Sequence, residues 1–366
     1  MELFNAAGTA SRLRASPLLA IGPSQPGPAF RRGALVAVPV GLALLLELGL
    51  SSASKGAIGT GALLAGFPGL DAPARTRAAW QAAVAPLIGL AAALGVLTGS
   101  SALPAIAAIA VVGAAAGYCF SVSLRFSIAG LSVALALVIA QDLPLDLGDI
   151  GPAFLLATAG GLLQAAFSAC VWVAGDRGEE GGAEGWSSHA ALRALRSNLR
   201  LSSTSARHGL RFGAALAAGV SAYWLIGMHE HGFWIPLTIL FVLRPEKEET
   251  FRRLILRAVG TVVGLVFATA LAEWLGGNGV AVAVALTLAT AFAYGLLTVQ
   301  YALFTAAITT YAVLLADSIG EEALHAAGQR AIATTIGIAI AGASFLLWPN
   351  RAKGLPTAGA TANQRA

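Results

Sequence analysis

The chain alternates between long apolar runs and short polar segments. Averaged over windows of about nineteen residues, twelve apolar runs stand out, at residues 32–50, 56–69, 79–98, 102–120, 125–141, 151–174, 208–227, 232–245, 256–275, 278–296, 298–316 and 330–348. An apolar run of about 20 residues can cross the hydrocarbon core of a bilayer as a helix. The pattern therefore predicts an all-α, polytopic membrane protein with about twelve transmembrane helices.

Composition agrees with this prediction and narrows the set of partners. Hydrophobic residues make up 57% of the chain and charged residues only 11%, which indicates a lipid bilayer as the surroundings. The net charge of +5 comes from arginines scattered through short loops, so we expect no nucleic-acid partner. Cys119 and Cys170 lie in apolar segments without metal-ligand spacing and are predicted to be buried thiols.

The distribution of basic residues predicts the orientation of the chain. Lysine and arginine collect on the cytoplasmic side of membrane proteins. With the N-terminus inside, 21 basic residues fall in inner segments, and only Lys55 and Arg330 fall in outer loops. Both termini are therefore predicted to be cytoplasmic. The proline-containing segment 1–30 lacks the apolar core of a signal peptide and is expected to be a flexible tail.

An internal repeat is indicated by a shift of 176 residues, which places Gly33 on Gly209, Arg77 on Arg253 and Gly161 on Gly337. Six crossings in each half would make the two repeats parallel. The predicted organisation is an N-terminal tail (1–30), a first six-helix repeat (31–174), a cytoplasmic linker with an amphipathic helix (175–206), a second six-helix repeat (207–350) and a cytoplasmic C-terminal tail (351–366).

Two unusually short runs occupy matching positions, 56–69 and 232–245. At 1.5 Å per residue, fourteen residues reach roughly 21 Å, short of a hydrocarbon core of about 30 Å. Short, glycine- or proline-interrupted segments at equivalent positions of two repeats point to a transporter's binding site. Pro236 is expected to free a backbone carbonyl, and Thr238 can supply a hydroxyl; a packing kink and a re-entrant loop are the alternatives.

Three polar residues inside apolar runs are candidates for chemistry. Arg257 either faces a central cavity and attracts an anion or extends to the inner headgroups. Gln81 occupies the corresponding position of the first half, so a shared pathway would be chemically asymmetric. Glu47 is either a proton carrier or a solvated interfacial acid. Cofactors, a metal site and enzymatic chemistry are not expected, since nucleotide-binding and hydrolase motifs are missing and His229, Glu230 and His231 form only a weak cluster.

The segment GFWIPLTILFVLRPEKEETFRRLILRAVGTVVG, with LRALRSNLRLSSTSARHGLRFG before it and VQYALFTAAITTYAVLLA and RAIATTIGIAIAG after it, resembles the fusaric acid resistance protein family. The resemblance covers residues 190–349 well and the first half weakly. It implies an inner-membrane transporter of organic anions, often aromatic carboxylates, with malate transporters as distant relatives. The positions that match the family pattern are Trp234, Pro236, Thr238, Arg253, Arg257, Gly260, Thr261, Gly264, Tyr301, Thr309 and Arg330.

The leading hypothesis is a proton-coupled exporter of organic anions. Its predicted pathway residues are Trp234, Pro236, Thr238, Arg257, Thr261, Tyr301 and Gln81, with Glu47 as the proton-coupling candidate. A passive organic-anion channel of the malate-channel type and a non-transporting membrane scaffold are the alternatives. The expected partners are the bilayer, small organic anions and protons, and the architecture is compatible with a homo-oligomer.

Overall fold

The computed structural model describes residues 26–48, 56–121, 123–175, 203–228, 231–297, 299–318 and 320–347. Within these ranges the regular structure is entirely helical, with no strands. The first described helix begins at Pro26, inside the segment 1–30 that the sequence predicts to be a tail; residues 1–25 lie outside the described residues. The amphipathic helix expected in the linker and the C-terminal tail lie outside the described residues.

Six α-helices precede the linker in the described ranges. One short 3-10 turn follows α4, and another precedes α6. The bounds of the six helices are α1 (Pro26–Glu47), α2 (Ala57–Gly66), α3 (Ala74–Gly99), α4 (Ala102–Tyr118), α5 (Leu124–Asp142) and α6 (Ile150–Gly175). The hydroxyl of Ser123 accepts a hydrogen bond from the Phe126 amide and caps the start of α5. Such a cap satisfies an amide that has no partner inside the helix.

Six further α-helices follow the linker in the described part of the chain. They are α7 (Thr204–Ile226), α8 (Trp234–Val242), α9 (Lys247–Leu275), α10 (Gly279–Leu296), α11 (Tyr301–Ser318) and α12 (Ala323–Leu347). Gly227 and Gly276 end α7 and α9 in the left-handed conformation that glycine adopts without a Cβ clash. The Asn278 side chain accepts from the Ala281 amide and caps α10.

Eight of these helices are long and apolar enough to cross a membrane: α1, α3, α5, α6, α7, α9, α10 and α11. Large apolar side chains project outward from them, and Leu225 and Trp274 are 85% and 81% exposed. Such surfaces suit lipid rather than water. The prediction of an all-α, multi-pass membrane protein is therefore confirmed, with the bilayer as its environment.

The short helices α2 and α8 differ from their neighbours in length. They have ten and nine residues, which at 1.5 Å per residue correspond to about 15 and 14 Å. Both are shorter than the apolar runs from which they were predicted. Phe67 continues with helical backbone angles after α2, whereas Leu243 turns to an extended conformation after α8.

Helices of the two halves pack against each other in a crossed arrangement. α4 lies on α7, and α1 lies on α10. Glycines permit both approaches: a Cβ at Gly33 would come within 2.6 Å of the Gly295 amide nitrogen, and a Cβ at Gly117 would lie 3.0 Å from the Gly209 Cα. Small residues at such crossings let helix backbones approach closely.

Within each half the long helices enclose the short one. In the first half α3 packs on α5 and α6, and α2 packs on α6. In the second half α9 packs on α11 and α12, and α8 packs on α12. The outer end is defined below as the end where α1 finishes and α2 begins, and the inner end is the opposite one.

One assignment from the charge distribution is wrong. The charge distribution predicts Arg330 in an outer loop, but α12 begins at Ala323 and Arg330 is buried within it. The apolar window missed the start of this helix because the segment from Glu321 to Arg330 is polar. A helix whose outer turns are polar on one side still continues when its other side packs against the protein.

Candidate functional site

A cavity of about 230 Å³ lies between α2 and α8. Its first-half wall carries mostly small and aliphatic side chains, with Thr60 and Leu64 from α2 among them. Its second-half wall is more aromatic and includes Trp234, Phe241 and Tyr311. Apolar pockets with a few polar groups are the usual form of small-molecule sites. Residues of both short segments therefore line one cavity.

Contacts around His231 lie at the outer rim of the cavity. Its ring stacks on Trp234 with the ring centroids 4.1 Å apart and the planes 10° from parallel. Its Nε2 atom contacts the carboxylate of Glu321, which lies in the connection between α11 and α12. His231 also has a φ of 60°, which is strained for a residue with a Cβ. These contacts join two outer connections over the cavity.

The inner end of the cavity is closed by aromatic rings. Phe67 and Phe241 both line the cavity, and their rings lie 6.4 and 5.5 Å from the ring of Phe304 on α11. Tyr294 on α10 makes an edge contact with Phe67 at 4.9 Å, and its hydroxyl donates to the Leu63 carbonyl. The side chains form an apolar layer from both halves, which separates the cavity from the inner end.

Arg330 reaches the wall of the cavity beside Trp234. Its guanidinium carbon lies 5.3 Å from the centre of the Trp234 ring, a cation–π distance. The residue is 0% exposed, and none of its three side-chain nitrogens has a hydrogen-bond partner among the described residues. A buried guanidinium in this state makes the electrostatic potential of the adjacent cavity positive.

Arg257 lies against the ring of Phe241 in the aromatic layer. Its guanidinium carbon is 5.5 Å from the centre of the Phe241 ring, and the residue is 0% exposed. It therefore does not extend to the headgroups, which was the alternative interpretation of this arginine. Its neighbours are polar but uncharged or cationic: the phenol of Tyr301 interacts with it, and Arg330 is close enough to repel it. Gln81, in the first half, is equally buried, and neither end of its amide is hydrogen bonded within the described residues.

The other predicted pathway residues of the second half are distributed around this core. Trp234 lines the cavity, whereas Thr238, Thr261 and Tyr301 are buried behind the wall. The Thr238 hydroxyl donates to the Trp234 carbonyl at 3.0 Å. The Tyr301 hydroxyl donates to the Phe241 carbonyl at 3.1 Å and so supports the inner end of α8.

The expectation that Pro236 frees a backbone carbonyl is wrong. It occupies the third position of α8, in the first turn, where a helix requires no intrahelical amide donor. The carbonyl of Gly232, which proline leaves without its usual donor, accepts from the Ile235 amide at 3.0 Å. Pro236 therefore starts the helix and does not break it.

Glu47 is buried at the outer end of α1, with an exposure of 3%. Its Oε1 atom accepts from the amides of Ile58 and Gly59 at 2.5 and 3.0 Å, at the start of α2. An anionic group in this position satisfies orphan donors and interacts favourably with the helix dipole. The alternative of a solvated interfacial acid is therefore wrong. Its Oε2 atom has no hydrogen-bond partner among the described residues.

Basic side chains collect at the inner ends of α7 to α9. Arg211 donates to the carbonyl of Arg244 at 3.2 Å, and Arg253 pairs with Glu249 at 2.6 Å. Burial, followed by repulsion from Arg253, lowers the pKa of Arg244 to about 9. Most of these groups stay charged at neutral pH, and the cluster gives the inner end a positive potential.

Two minor predictions have different outcomes. Cys170 is exposed on α6 and Cys119 is partly buried, so the expectation of two buried thiols is wrong for Cys170. His229 and Glu230 lie outside the described residues, and the described residues contain no group of ligands suited to a metal.

The sequence did not predict the structural positions of two candidate residues, Arg330 and Phe241. Arg330 matched the family pattern but was placed in a loop, and Phe241 was not singled out. A periodicity test could have found Arg330, since Arg330, Thr334 and Gly337 follow one another at the spacing of one helix face. No local pattern marks Phe241, because its role depends on the ring of Phe304 from another helix.

A family model matches most of the second half of the chain. Residues 215–343 match the model of a family described as fusaric acid resistance protein-like. This confirms the resemblance inferred from the sequence, and these residues include α8 and both buried arginines. Gln81 and Glu47 lie outside the matched segment.

Three curated relatives share part of the sequence. Inner membrane protein YccS of Escherichia coli (strain K12) is 37% identical over 146 residues, 39% of this chain and 20% of that protein. An uncharacterized protein of Synechocystis sp., slr1298, is 35% identical over 159 residues, 40% of this chain and 19% of that one. Uncharacterized protein ORF2 of Neisseria gonorrhoeae is 29% identical over 159 residues, 43% of this chain and 38% of that one. The matches therefore cover well under half of each relative, and no solved structure matches the chain.

Proposed function

We propose that this chain, whose residues 215–343 form a fusaric acid resistance protein-like domain, is an inner-membrane secondary transporter that exports organic anions. The observation that carries the proposal is the cavity between α2 and α8, which is apolar and aromatic and has a buried, unpaired arginine at its wall. An aromatic ring fits the apolar lining, and a carboxylate is attracted by the guanidinium groups of Arg330 and Arg257. The name of the Escherichia coli relative supports the inner membrane as its location.

The arrangement of the halves supports alternating access about a central site. Two parallel six-helix repeats would explain why α4 packs on α7 and α1 packs on α10, since each contact is the counterpart of the other. Gly33 and Gly209, which the 176-residue shift aligns, both lie at these crossings. Rocking of the halves would expose the cavity at either end. Both termini would then be cytoplasmic, and α2 and α8 would reach only part of the way through the bilayer.

The aromatic layer favours a carrier over an open channel. The cavity lining ends at Phe67 and Phe241, whose rings pack on Phe304. A carrier keeps one end of its path closed while the other is open, and this layer is suited to close the inner end. On this proposal Arg330 receives the anion in the cavity, and Arg257, beside Phe241, is the next cation on its path. Trp234, Thr238, Thr261, Tyr301 and Gln81 form the polar and aromatic surroundings of this path.

Proton coupling through Glu47 is part of the proposal. The carboxylate bonds to the start of α2, and it interacts electrostatically with Tyr311, which lines the cavity. Protonation would remove the negative charge that holds the α2 amides. The position of one cavity wall would thereby depend on the protonation of an acid close to the cavity.

The test is export of a radiolabelled aromatic monocarboxylate, such as benzoate, from proteoliposomes containing the full chain. Arg257→Gln and Arg330→Gln are each expected to lower the initial rate by roughly a hundredfold, the usual effect of removing a buried charge partner. The matched control is Arg252→Gln, because Arg252 pairs with Glu249 on the surface of the same helix as Arg257.

Two results would contradict the proposal. If both arginine variants insert normally and export at the wild-type rate, the anion does not pass these arginines. A steady benzoate current under voltage clamp without any proton gradient would instead favour the passive channel. Growth of a deletion strain on a panel of aromatic and dicarboxylic acids would identify the substrate class, and no difference on any acid would favour the scaffold.

A further inference from the structure

The interior of the second half contains an unusual set of hydrogen-bond donors. Seven side chains from four helices are buried there, and the atoms concerned have no partner among the described residues. They are the indole nitrogen of Trp234 on α8, Arg257 and Thr261 on α9, Thr305 and Thr309 on α11, and Arg330 and Thr334 on α12. Buried polar groups are nearly always satisfied, so a set of this size requires an explanation.

These donors share the helix faces that point into the bundle of α8, α9, α11 and α12. Arg257 and Thr261 are four residues apart, as are Arg330 and Thr334, so each pair lies on one side of its helix. Thr305 and Thr309 also differ by four, and they oppose Gly260 and Gly264, where a Cβ would come within 2.7 Å of each threonine Cβ. The helices are thus in close contact, and the space that remains among the donors is small.

The charge of the arginines restricts what can occupy this space. Guanidinium groups remain protonated in proteins, and an unpaired buried cation is strongly unfavourable. No described carboxylate pairs with Arg257 or Arg330. Glu249 is paired with Arg252 and Arg253. Glu47 caps α2. Water could satisfy hydroxyl and indole groups but not the charge.

The first half shows that the fold itself does not require this charge. Gln81 lies at the position that corresponds to Arg257, and helices α3, α5 and α6 pack around it without a buried, unpaired arginine among their described residues. An amide there needs no counterion. The arginines of the second half therefore have a use that packing does not explain.

We infer that the second half holds a small monovalent anion between Arg257 and Arg330, at a site behind the wall of the central cavity. The two guanidinium groups supply the charge, and the surrounding threonine hydroxyls and the Trp234 indole replace the anion's hydration shell. A small ion such as chloride supplies the missing negative charge in little space, and the carboxylate of a transported acid offers the same charge. Only Arg330 and Trp234 of this set line the cavity. The anion site can therefore exist whether or not the chain transports the acids proposed above.

The first experiment measures the thermal unfolding midpoint of the purified full chain in nanodiscs. Chloride is exchanged at constant ionic strength for gluconate, an anion too large for the enclosed site. Chloride, bromide and nitrate are each expected to raise the midpoint by roughly 5 °C at a hundred times their Kd. Arg257→Gln is expected to lose this dependence, and Arg252→Gln is expected to keep it. Equal midpoints in chloride and gluconate for the wild type would overturn the inference.

A second experiment does not depend on the folding of a variant. Equilibrium dialysis of the wild type against radioactive chloride is expected to give about one bound ion per chain, since a single guanidinium pair defines a single site. Absence of bound chloride would overturn the inference. Displacement of the chloride by benzoate would identify the site as the substrate's carboxylate site, and retention in excess benzoate would identify a resident inorganic ion. Loss of transport with bound chloride intact would reject only the proposed function.

Discussion

The short helices α2 and α8 face one cavity but are built differently. α2 is formed mainly from glycine, alanine and leucine, and its start is held by the carboxylate of Glu47. α8 carries Trp234, Pro236 and Phe241, and its start is covered by the stacked ring of His231. Gln81 on α3, which the 176-residue shift aligns with Arg257, is buried and neutral, whereas the cationic Arg257 is buried against Phe241 of α8. The same position in the fold thus has two chemical forms.

The two halves pack in the same way but differ in the chemistry of their buried side chains. Helix lengths, crossings and enclosed short segments are similar in both halves, whereas buried charge and aromatic rings are concentrated in the second. If the halves are repeats around one path, as we propose, both must keep their shape, but the path needs only one set of charged groups. In the proposed transporter, the small side chains of α2 leave space for the substrate, and the side chains of α8 contact it.

The largest expected effect is on the crossings that the halves share. Gly33→Ala and Gly209→Ala each place a methyl group against the backbone of a helix from the other half. We expect each to lower the free energy of unfolding by about 3 kcal/mol, the cost of an overpacked core. The measurement is reversible unfolding in mixed detergent, followed by circular dichroism.

The matched control for these variants is Gly148→Ala, since a Cβ at Gly148 meets nothing within 4 Å. A loss of stability confined to one of the two crossings would show that the halves are not equivalently packed. The similarity between the halves would then hold only for the short helices α2 and α8.

The next effect concerns the aromatic layer at the inner end of α8. Phe241→Ala removes a ring that packs on Phe304 and lines the cavity. We expect passive leak of benzoate through proteoliposomes to rise about tenfold, since loss of one aromatic contact lowers a barrier by roughly 1.4 kcal/mol. Leu64→Ala enlarges the α2 wall of the same cavity and is the control. If the leak is unchanged in Phe241→Ala, the aromatic layer is not the barrier that closes the inner end of the cavity.

The sequence predicted the helical, multi-pass class and the matching short segments, because apolar length and glycine or proline content are local properties. The long motif of the second half also resembles the family whose model matches residues 215–343. The apolar pattern misplaced Arg330, because the polar outer turns of α12 hide a helix whose other face is buried. The crossing of α1 on α10 and the rings around Phe241 depend on contacts between distant segments, which periodicity does not encode.

The next prediction concerns Glu47, whose carboxylate holds the start of α2, whereas the start of α8 has no such acid among the described residues. Glu47→Gln keeps an oxygen acceptor for the Ile58 and Gly59 amides but removes the charge. We expect a loss of about 1 kcal/mol in unfolding free energy, the usual size of a charge at a helix start. We also expect benzoate export to become independent of the proton gradient. Export that still follows the gradient would exclude Glu47 as the coupling group while leaving its capping role intact.

The smallest effect is expected at the outer start of α8, where His231 contacts Trp234 and Glu321. His231→Ala removes the stacked ring and the contact with Glu321, and we expect it to destabilise the protein by about 1 kcal/mol. His231→Gly removes the same contacts but also relieves the strain of a φ of 60°, so its loss should be smaller by roughly 1 kcal/mol. Thermal unfolding of the two variants measures the difference. If both variants lose the same stability, the backbone at residue 231 carries no strain, and the start of α8 is held by its side-chain contacts alone.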